Sequence, residues 1–76
     1  MSLETNLSGY DICDIVEADG SYNYFGYCKA DGSWKILREK TDGTEYRLAV
    51  GKSAYSTAFT NRATQTYKRP DELPRV

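Results

Sequence analysis

The 76-residue sequence has no histidine and only two cysteines, which limits the chemistry that a single chain can carry out. Without histidine, neither a Ser-His-Asp triad nor a Cys-His pair can be assembled. The four nitrogen and sulfur ligands of a structural zinc site are missing too, and there is no Gly-rich phosphate-binding loop. We therefore expect a protein that is not an enzyme and that holds no metal or other cofactor.

Long apolar runs are also lacking. No stretch approaches the roughly 18 apolar residues that indicate a membrane-spanning helix. The opening residues, MSLETNLSGY, have neither the basic start nor the apolar centre of a signal peptide. Two cysteines are too few for the disulfide framework of a small secreted domain. These absences predict a protein made in a reducing cytoplasm, without a membrane partner and with Cys13 and Cys28 as thiols.

The formal net charge is only −1, but the charges are unevenly distributed. Residues 1–32 contain six acidic residues and one basic residue, whereas residues 33–76 contain nine basic and five acidic residues. The two halves are either solvated strand surfaces or complementary ends of subunits that meet head to tail. A net acidic chain is a poor general binder of nucleic acid. Because so short a chain buries only a small core, we expect partner subunits to contribute to its stability.

The dipeptide Asp-Gly occurs three times at intervals of eleven or twelve residues, each time followed by Ser or Thr. The three pairs are Asp19-Gly20, Asp31-Gly32 and Asp42-Gly43. Asp-Gly favours the type I′ turn of a two-residue β-hairpin, because that turn requires positive φ at both central positions. The interval corresponds to one strand plus one turn, so the pairs predict the corners of a meander.

Alternating apolar and polar residues between these corners predict strands. The expected fold is mainly all-β: a small antiparallel meander, sandwich or partly open barrel of four to five strands with one short helix. The four strands are expected near residues 10–18, 21–30, 33–41 and 44–50. In the second strand, Tyr24 is predicted to face away from Phe25 and Tyr27.

The first strand, YDICDIVEA, alternates less clearly. A period of two places Ile12 and Ile15 on opposite faces. The register of this strand against the second depends on the turn between them. A two-residue loop places Cys28 opposite Asp11, whereas a four-residue loop places Cys28 opposite Cys13, and the sequence leaves both open.

The pattern changes to helical spacing in the last third of the chain. Tyr55, Ala58, Phe59 and Arg62 recur at intervals that predict a short helix near residues 53–62. Ser53 is expected to cap its first turn by accepting a backbone hydrogen bond.

The remaining segments divide the chain into one domain and two extended ends. Residues 64–68 are a possible fifth strand. The two prolines among the last eight residues predict an extended tail. We expect an N-terminal arm over residues 1–9, a single β domain over residues 10–68 and a C-terminal tail over residues 69–76.

Aromatic residues are concentrated in the second and third predicted strands. They are Tyr22, Tyr24, Phe25, Tyr27 and Trp34. Together with Lys29 and Lys35, they are either a stacking platform for single-stranded nucleic acid or a Pro-rich peptide, or part of the core with tyrosine hydroxyls at the surface.

The segment SWKILREKTDGTEYRLAVGKSAYSTAFTNRATQTY resembles a group of short tailed-bacteriophage proteins, which are commonly encoded among virion structural genes. The shared pattern is an aromatic strand, Trp-x-Ile-x-Arg, an Asp-Gly corner, a small residue and Gly, an aromatic helical turn, Arg-Ala, and a final Thr/Ser-x-Tyr strand. The matching positions are Trp34, Ile36, Arg38, Asp42, Gly43, Ala49, Gly51, Phe59, Asn61, Arg62, Ala63, Thr66 and Tyr67. The match covers about half of the chain.

The resemblance implies a non-enzymatic structural protein of the virion, made in the cytoplasm of the bacterial host. Such a protein would decorate the capsid or belong to the neck or tail, bind other virion proteins and assemble in multiple copies. The residues that we predict at partner interfaces are Phe25, Tyr27, Arg62 and Tyr67. The residues that we predict in the core are Trp34, Ile36, Tyr46, Leu48 and Phe59.

Two further expectations accompany this interpretation. Arg62 is expected to pair with an acidic group of the first half of the chain, within or between subunits. The alternative function is a small-barrel binding module for single-stranded nucleic acid or a peptide.

Overall fold

The computed structural model describes residues 9–69 and contains one four-stranded antiparallel sheet. The elements in chain order are β1 (Asp11–Asp19), β2 (Tyr22–Cys28), β3 (Trp34–Lys40), β4 (Tyr46–Gly51), helix α1 (Tyr55–Thr60) and a 3-10 turn (Arg62–Thr64). The strands lie in the sheet in the order in which they occur in the chain. The predicted meander with one short helix is therefore confirmed. The predicted arm and tail lie outside the described residues, apart from the innermost residue of each.

The first corner is a two-residue hairpin that starts one residue later than predicted. Asp19 pairs with Tyr22, so the loop is Gly20-Ser21 rather than Asp19-Gly20. Gly20 has a φ of 65°, and Ser21 is not among the residues with positive φ. Positive φ at only the first central position is typical of a type II′ turn, which favours Gly there. The prediction of a type I′ turn is wrong here, although the corner itself is present.

The other two corners are longer loops in which Gly closes a turn. The Gly32 N–H donates to the Lys29 carbonyl at 3.0 Å, and the Gly43 N–H donates to the Lys40 carbonyl at 2.8 Å. Gly32 and Gly43 have φ values of 95° and 77°, whereas the preceding aspartates do not have positive φ. This arrangement, with a left-handed Gly after the two central residues, is typical of a type I turn followed by Gly. These corners are also not type I′.

The Asp carboxylates of the second and third Asp-Gly pairs accept hydrogen bonds from the residue that follows each Gly. Asp31 accepts a hydrogen bond from the Ser33 N–H at 2.9 Å, and Asp42 accepts one from the Thr44 N–H at 3.0 Å. The Thr44 hydroxyl also donates to Asp42, at 2.6 Å. Hydrogen bonds to the ionised form lower a carboxyl pKa. The Ser33 N–H thus lowers the pKa of Asp31, and the Thr44 hydroxyl lowers the pKa of Asp42.

The main core lies on the face of the sheet that α1 covers. Ala58 and Phe59 are the buried residues of α1, as the predicted helical spacing indicated. The buried cluster, which we call the helix-side core, consists of Tyr24, Trp34, Ile36, Ala49, Ala58 and Phe59. The residues packed against it are Val16, Tyr22, Tyr55 and Tyr67.

Two strand glycines allow aromatic rings to lie directly on this face. A Cβ at Gly26 would overlap the Tyr55 hydroxyl and lie 2.8 Å from Tyr55 Cζ. A Cβ at Gly51 would overlap the Trp34 ring, which lies opposite Gly51 in the ladder. The Trp34 indole N–H donates to the Ser53 carbonyl at 2.7 Å. A glycine within a strand is expected where another group approaches the backbone closely, and here that group is an aromatic side chain.

The start of α1 differs from the prediction. The residue before the helix is Ala54, which has a left-handed φ of 58°, and no side chain caps the helix. Ser53 instead contributes its carbonyl to the indole hydrogen bond described above. The predicted cap is therefore wrong. The predicted helix is divided into α1 and the 3-10 turn, which are separated by Asn61.

The predicted fifth strand is reduced to a single bridge. Thr64 belongs to the 3-10 turn, and Lys68 is the residue that pairs with the sheet. Two backbone hydrogen bonds of 2.8 Å join Lys68 to Leu48 of β4. The Tyr67 ring packs against the helix-side core, and its hydroxyl donates to the Arg62 carbonyl at 2.8 Å. The edge of β4 is therefore partly paired.

The predicted core residues do not share one core. Trp34, Ile36 and Phe59 are buried on the helix side. Leu48 is also buried, but its register partner is Leu37, so it faces away from α1. Tyr46 is half-buried rather than buried, because it pairs with Glu39 near the end of β3 and away from the helix.

Candidate protein-binding surface

Two rows of cross-strand neighbours form the apolar part of the sheet face opposite α1. One row is Ile15, Phe25, Leu37 and Leu48, and the other is Ile12, Tyr27, Lys35 and Val50. Residues that oppose each other in an antiparallel ladder have their side chains on the same side. We call these eight residues the open face. All of them except Lys35 are aliphatic or aromatic.

Exposure on the open face increases from the middle of the sheet to its edges. Leu37 and Leu48 are 6% and 1% exposed, whereas Ile12 and Ile15 of β1 are 51% and 56% exposed. Val50, near the other edge, is 42% exposed. These three are the large hydrophobic residues that are exposed in the described part of the chain. Clustered exposed apolar side chains are typical of protein-binding surfaces, and two of the three are on β1.

Within the described part of the chain, β1 is an edge strand with one unpaired side. Among residues 9–69, its ladder partner is β2, whereas β4 at the opposite edge also bonds to Lys68. Alternate residues of the nine in β1 therefore present backbone N–H and C=O groups along its outer side. Such an edge is a template for pairing with a strand of another chain.

Two bulges shape β1 and explain its imperfect alternation. The register against β2 shifts at Cys13 and again before Asp19. A bulge inserts one extra residue, which changes the face on which later residues fall. Ile12 and Ile15 consequently share the open face, and the prediction that they lie on opposite faces is wrong. Because the sequence did not predict the bulge, it also did not predict that the two isoleucines form one exposed pair.

The two cysteines lie beside the first bulge. Cys28 opposes Asp11 because the two bulges of β1 shift the register that the Gly20-Ser21 loop sets, and Cys13 is the extra residue of the first bulge. Both are free thiols. Burial, together with the neighbouring Cys13 thiol, raises the pKa of Cys28 to about 12. Because the thiolate is the reactive form, Cys28 is a poor nucleophile at neutral pH.

The edge of β1 is acidic. It contains four carboxylates and no basic residue: Asp11, Asp14, Glu17 and Asp19. Asp14 accepts a hydrogen bond from the Tyr55 hydroxyl at 2.7 Å. Asp19 forms an ion pair of 3.0 Å with Arg62, so the expected partner of Arg62 lies within the same chain. In the described part of the chain, this is the ion pair that β1 makes.

Positive charge lies at one end of the open face. The Nζ atoms of Lys29 and Lys35 lie 4.9 and 5.1 Å from the centre of the Tyr10 ring. Lys35 is 6% exposed. Burial, and then the nearby Lys29, lower the pKa of Lys35. Lys35 lies between Tyr27 and Val50 in its row of the open face.

The four predicted interface residues are divided between the two faces of the sheet. Phe25 and Tyr27 are half-buried on the open face, next to the isoleucines of β1. Arg62 and Tyr67 are on the helix side, where they make contacts within the chain. Arg62 donates to the Phe59 carbonyl at 3.1 Å, and burial raises the pKa of Tyr67. The structure thus places Phe25 and Tyr27 next to the exposed edge of β1, and it places Arg62 and Tyr67 on the opposite face of the sheet.

The aromatic residues of β2 and β3 also fall on both faces. Tyr24 and Trp34 are in the helix-side core, whereas Phe25 and Tyr27 are on the open face. Stacking of successive bases requires aromatic rings on one accessible surface. The cluster as a whole does not form such a platform.

Comparison with family models, with curated proteins and with solved structures finds no match to the chain. Neither helix in residues 9–69 has the length and apolar character needed to span a bilayer. Within the same residues, no three acidic, cysteine or histidine side chains are grouped as a metal site. The candidate site is therefore defined by its own geometry, as an acidic, unpaired strand edge beside exposed isoleucines.

Proposed function

We propose that this chain is a structural component of a tailed-bacteriophage virion that binds other virion proteins and is present in multiple copies. The observation that carries the proposal is the unpaired edge of β1, with Ile12 and Ile15 exposed beside it. The resemblance of residues 33–67 to short phage proteins supplies the setting, as a capsid decoration, neck or tail component. The proposed role is not catalytic, and the proposed location is the virion after synthesis in the host cytoplasm.

The size of the apolar surface favours many weak contacts over one strong contact. Complete burial of an exposed isoleucine side chain contributes about 1.5–3 kcal/mol. Ile12 and Ile15 each have about half of their surface exposed, so covering both contributes roughly 1.5–3 kcal/mol in total. This is less than the cost of associating two free molecules. Repeated copies on a shell or tube combine such weak contacts into stable attachment.

The alternative, a small-barrel module for single-stranded nucleic acid or a peptide, has less support. Of the aromatic residues, Tyr24 and Trp34 are buried, which leaves Phe25 and Tyr27 as the half-buried pair on the open face. The four carboxylates of the neighbouring strand β1 add negative charge, which disfavours binding of phosphate. A virion protein that uses the same edge for a protein partner accounts for both features.

The direct test is quantitative mass spectrometry of purified virions. We expect peptides of this chain at many copies per particle, measured against a capsid subunit in the same digest. Absence of the chain from virions would overturn the proposal.

A second measurement connects incorporation to the β1 edge. Tagged Ile15→Lys, supplied during infection, should be depleted from particles by about tenfold, which corresponds to a loss of about 1.4 kcal/mol. The matched control is Val50→Lys, on the same face but next to the edge that Lys68 already pairs. The control should enter particles at the level of the unmodified chain. Equal incorporation of both variants would contradict a role for the β1 edge.

A further inference from the structure

We propose that the edge of β1 binds an extended segment of another protein in which apolar residues alternate with lysine or arginine. The inference rests on the proposed function, since it specifies the chemistry of the partner bound at the same surface. It comes from three features that lie together: an unpaired strand edge, exposed isoleucines on one side of it and carboxylates on the other.

The two sides of the β1 edge differ in chemistry. Ile12 and Ile15 are on the open face. Asp14 is on the helix side, where it accepts the hydrogen bond from Tyr55, and Asp11 shares that side through its pairing with Cys28. Successive residues of an added strand point to opposite faces. Every second residue of the partner would therefore lie beside the isoleucines, and the intervening residues would lie beside the carboxylates.

Charge determines which polar residues the partner carries. Of the four β1 carboxylates, Asp19 is paired with Arg62. In the described part of the chain, Asp11, Asp14 and Glu17 form no ion pair. Opposite charges in neighbouring strands stabilise pairing, and like charges directly opposite destabilise it. Lysine or arginine is thus favoured at the partner positions beside Asp11 and Asp14.

The same features act against a second copy of β1 as the occupant. Pairing two copies would bring two sets of four carboxylates together. The bulges at Cys13 and before Asp19 also interrupt the regular ladder, and bulges and charges are devices by which edge strands avoid pairing with themselves. A strand from a different protein that carries basic residues avoids this charge repulsion.

The experiment uses the full chain, labelled with ¹⁵N, and synthetic peptides that match the nine residues of β1 in length. The probe alternates Lys and Val. One control peptide alternates Glu and Val, and the other alternates Lys and Ser. We expect the Lys-Val peptide to bind at least about tenfold more tightly than either control, a difference of about 1.4 kcal/mol. Its largest chemical-shift changes should be at the amides of β1, and binding should weaken as salt rises.

Two variants locate the site on the open face. Ile15→Ser should weaken binding of the Lys-Val peptide by about tenfold, because it removes an exposed isoleucine beside the edge. Val50→Ser is the matched control and should bind as the unmodified chain does. Trp34 fluorescence verifies that both variants are folded, since Trp34 packs in the helix-side core.

The possible results separate the inference from the proposed function. Equal binding of the Glu-Val peptide, equal losses in the two variants, or shifts centred away from β1 would overturn the inference. Shifts of β1 amides that depend on protein concentration without peptide would assign the edge to a second copy and also overturn it. Selective peptide binding by a chain that is absent from virions would reject the proposed function alone. A chain abundant in virions that shows no peptide preference would reject the inference alone.

Discussion

Replacement of Gly26 by alanine is expected to destabilise the domain by about 2–4 kcal/mol. The new methyl group would overlap the Tyr55 hydroxyl and lie 3.0 Å from Phe59 Cδ1. Inserting an extra methyl group into a packed site costs about 1–3 kcal/mol. Displacement of Tyr55 also removes its hydrogen bond to Asp14, which is worth about 1 kcal/mol. Since a core of this size supplies about 3–5 kcal/mol in total, the variant should be partly or fully unfolded.

Urea unfolding provides the assay, because Trp34 is the single tryptophan and is buried. For a small domain the slope of the unfolding free energy with urea is about 1 kcal/mol per molar. The expected loss therefore lowers the midpoint by about 2–4 M, or abolishes the transition. An unchanged midpoint would show that α1 can move away from the sheet without cost.

A double-mutant cycle isolates the contact with Tyr55. In a Tyr55→Leu background the aromatic ring and its hydroxyl are gone, so the methyl group has space. Gly26→Ala should then cost less than about 1 kcal/mol, because alanine is favoured over glycine within a strand by about 0.5–1 kcal/mol. The coupling between the two positions should exceed about 1 kcal/mol. The same cost in both backgrounds would refute the reasoning.

Three further predictions follow from the turns and from the second strand glycine. Gly51→Ala should cost about 2–3 kcal/mol and shift Trp34 emission to longer wavelength, since the methyl group would overlap the indole ring; unchanged emission would contradict this packing. Gly32→Val should cost more than about 1 kcal/mol, because a β-branched residue resists a φ of 95°, and an unchanged melting temperature would reject the turn. The Thr44 hydroxyl lowers the pKa of Asp42, so the stabilisation from this carboxylate is complete above its unfolded pKa of about 4 and is lost as the pH falls through the lower folded pKa. An NMR titration should find the pKa of Asp42 below 3.8 and raised in Thr44→Val, whereas equal values in both proteins would exclude this hydrogen bond as the cause.

The first strand shows why the candidate site was harder to predict than the fold. The sequence around Ile12 and Ile15 contains the apolar residues of the site, but a period of two separates them. The extra residue at Cys13 brings them onto one face. A bulge has no strong composition signal, and it is recognised only when the partner strand shows where the register shifts.

Arg62 and Tyr67 show a second limit. Both are polar or amphipathic residues near the end of the domain, and both were predicted at an interface. In the 3-10 turn that starts at Arg62, the Arg62 guanidinium pairs with Asp19. The Tyr67 hydroxyl donates to the Arg62 carbonyl. An acidic partner of Arg62 in the first half of the chain was predicted, but its identity and the hydrogen bond of Tyr67 depend on the 3-10 turn that follows α1, so residue type alone could not assign them.

By itself the sequence predicted four strands in meander order, the approximate position of their corners and the helical segment that covers the sheet. These features depend on local preferences: glycine at positive φ, alternation within a strand and helical spacing of Tyr55, Ala58 and Phe59. Only the tertiary structure decided the register at Cys13, the different states of the two sheet edges and the division of the aromatic residues between two faces. Each of these depends on how segments far apart in the chain pack against one another, and no single segment contains that information.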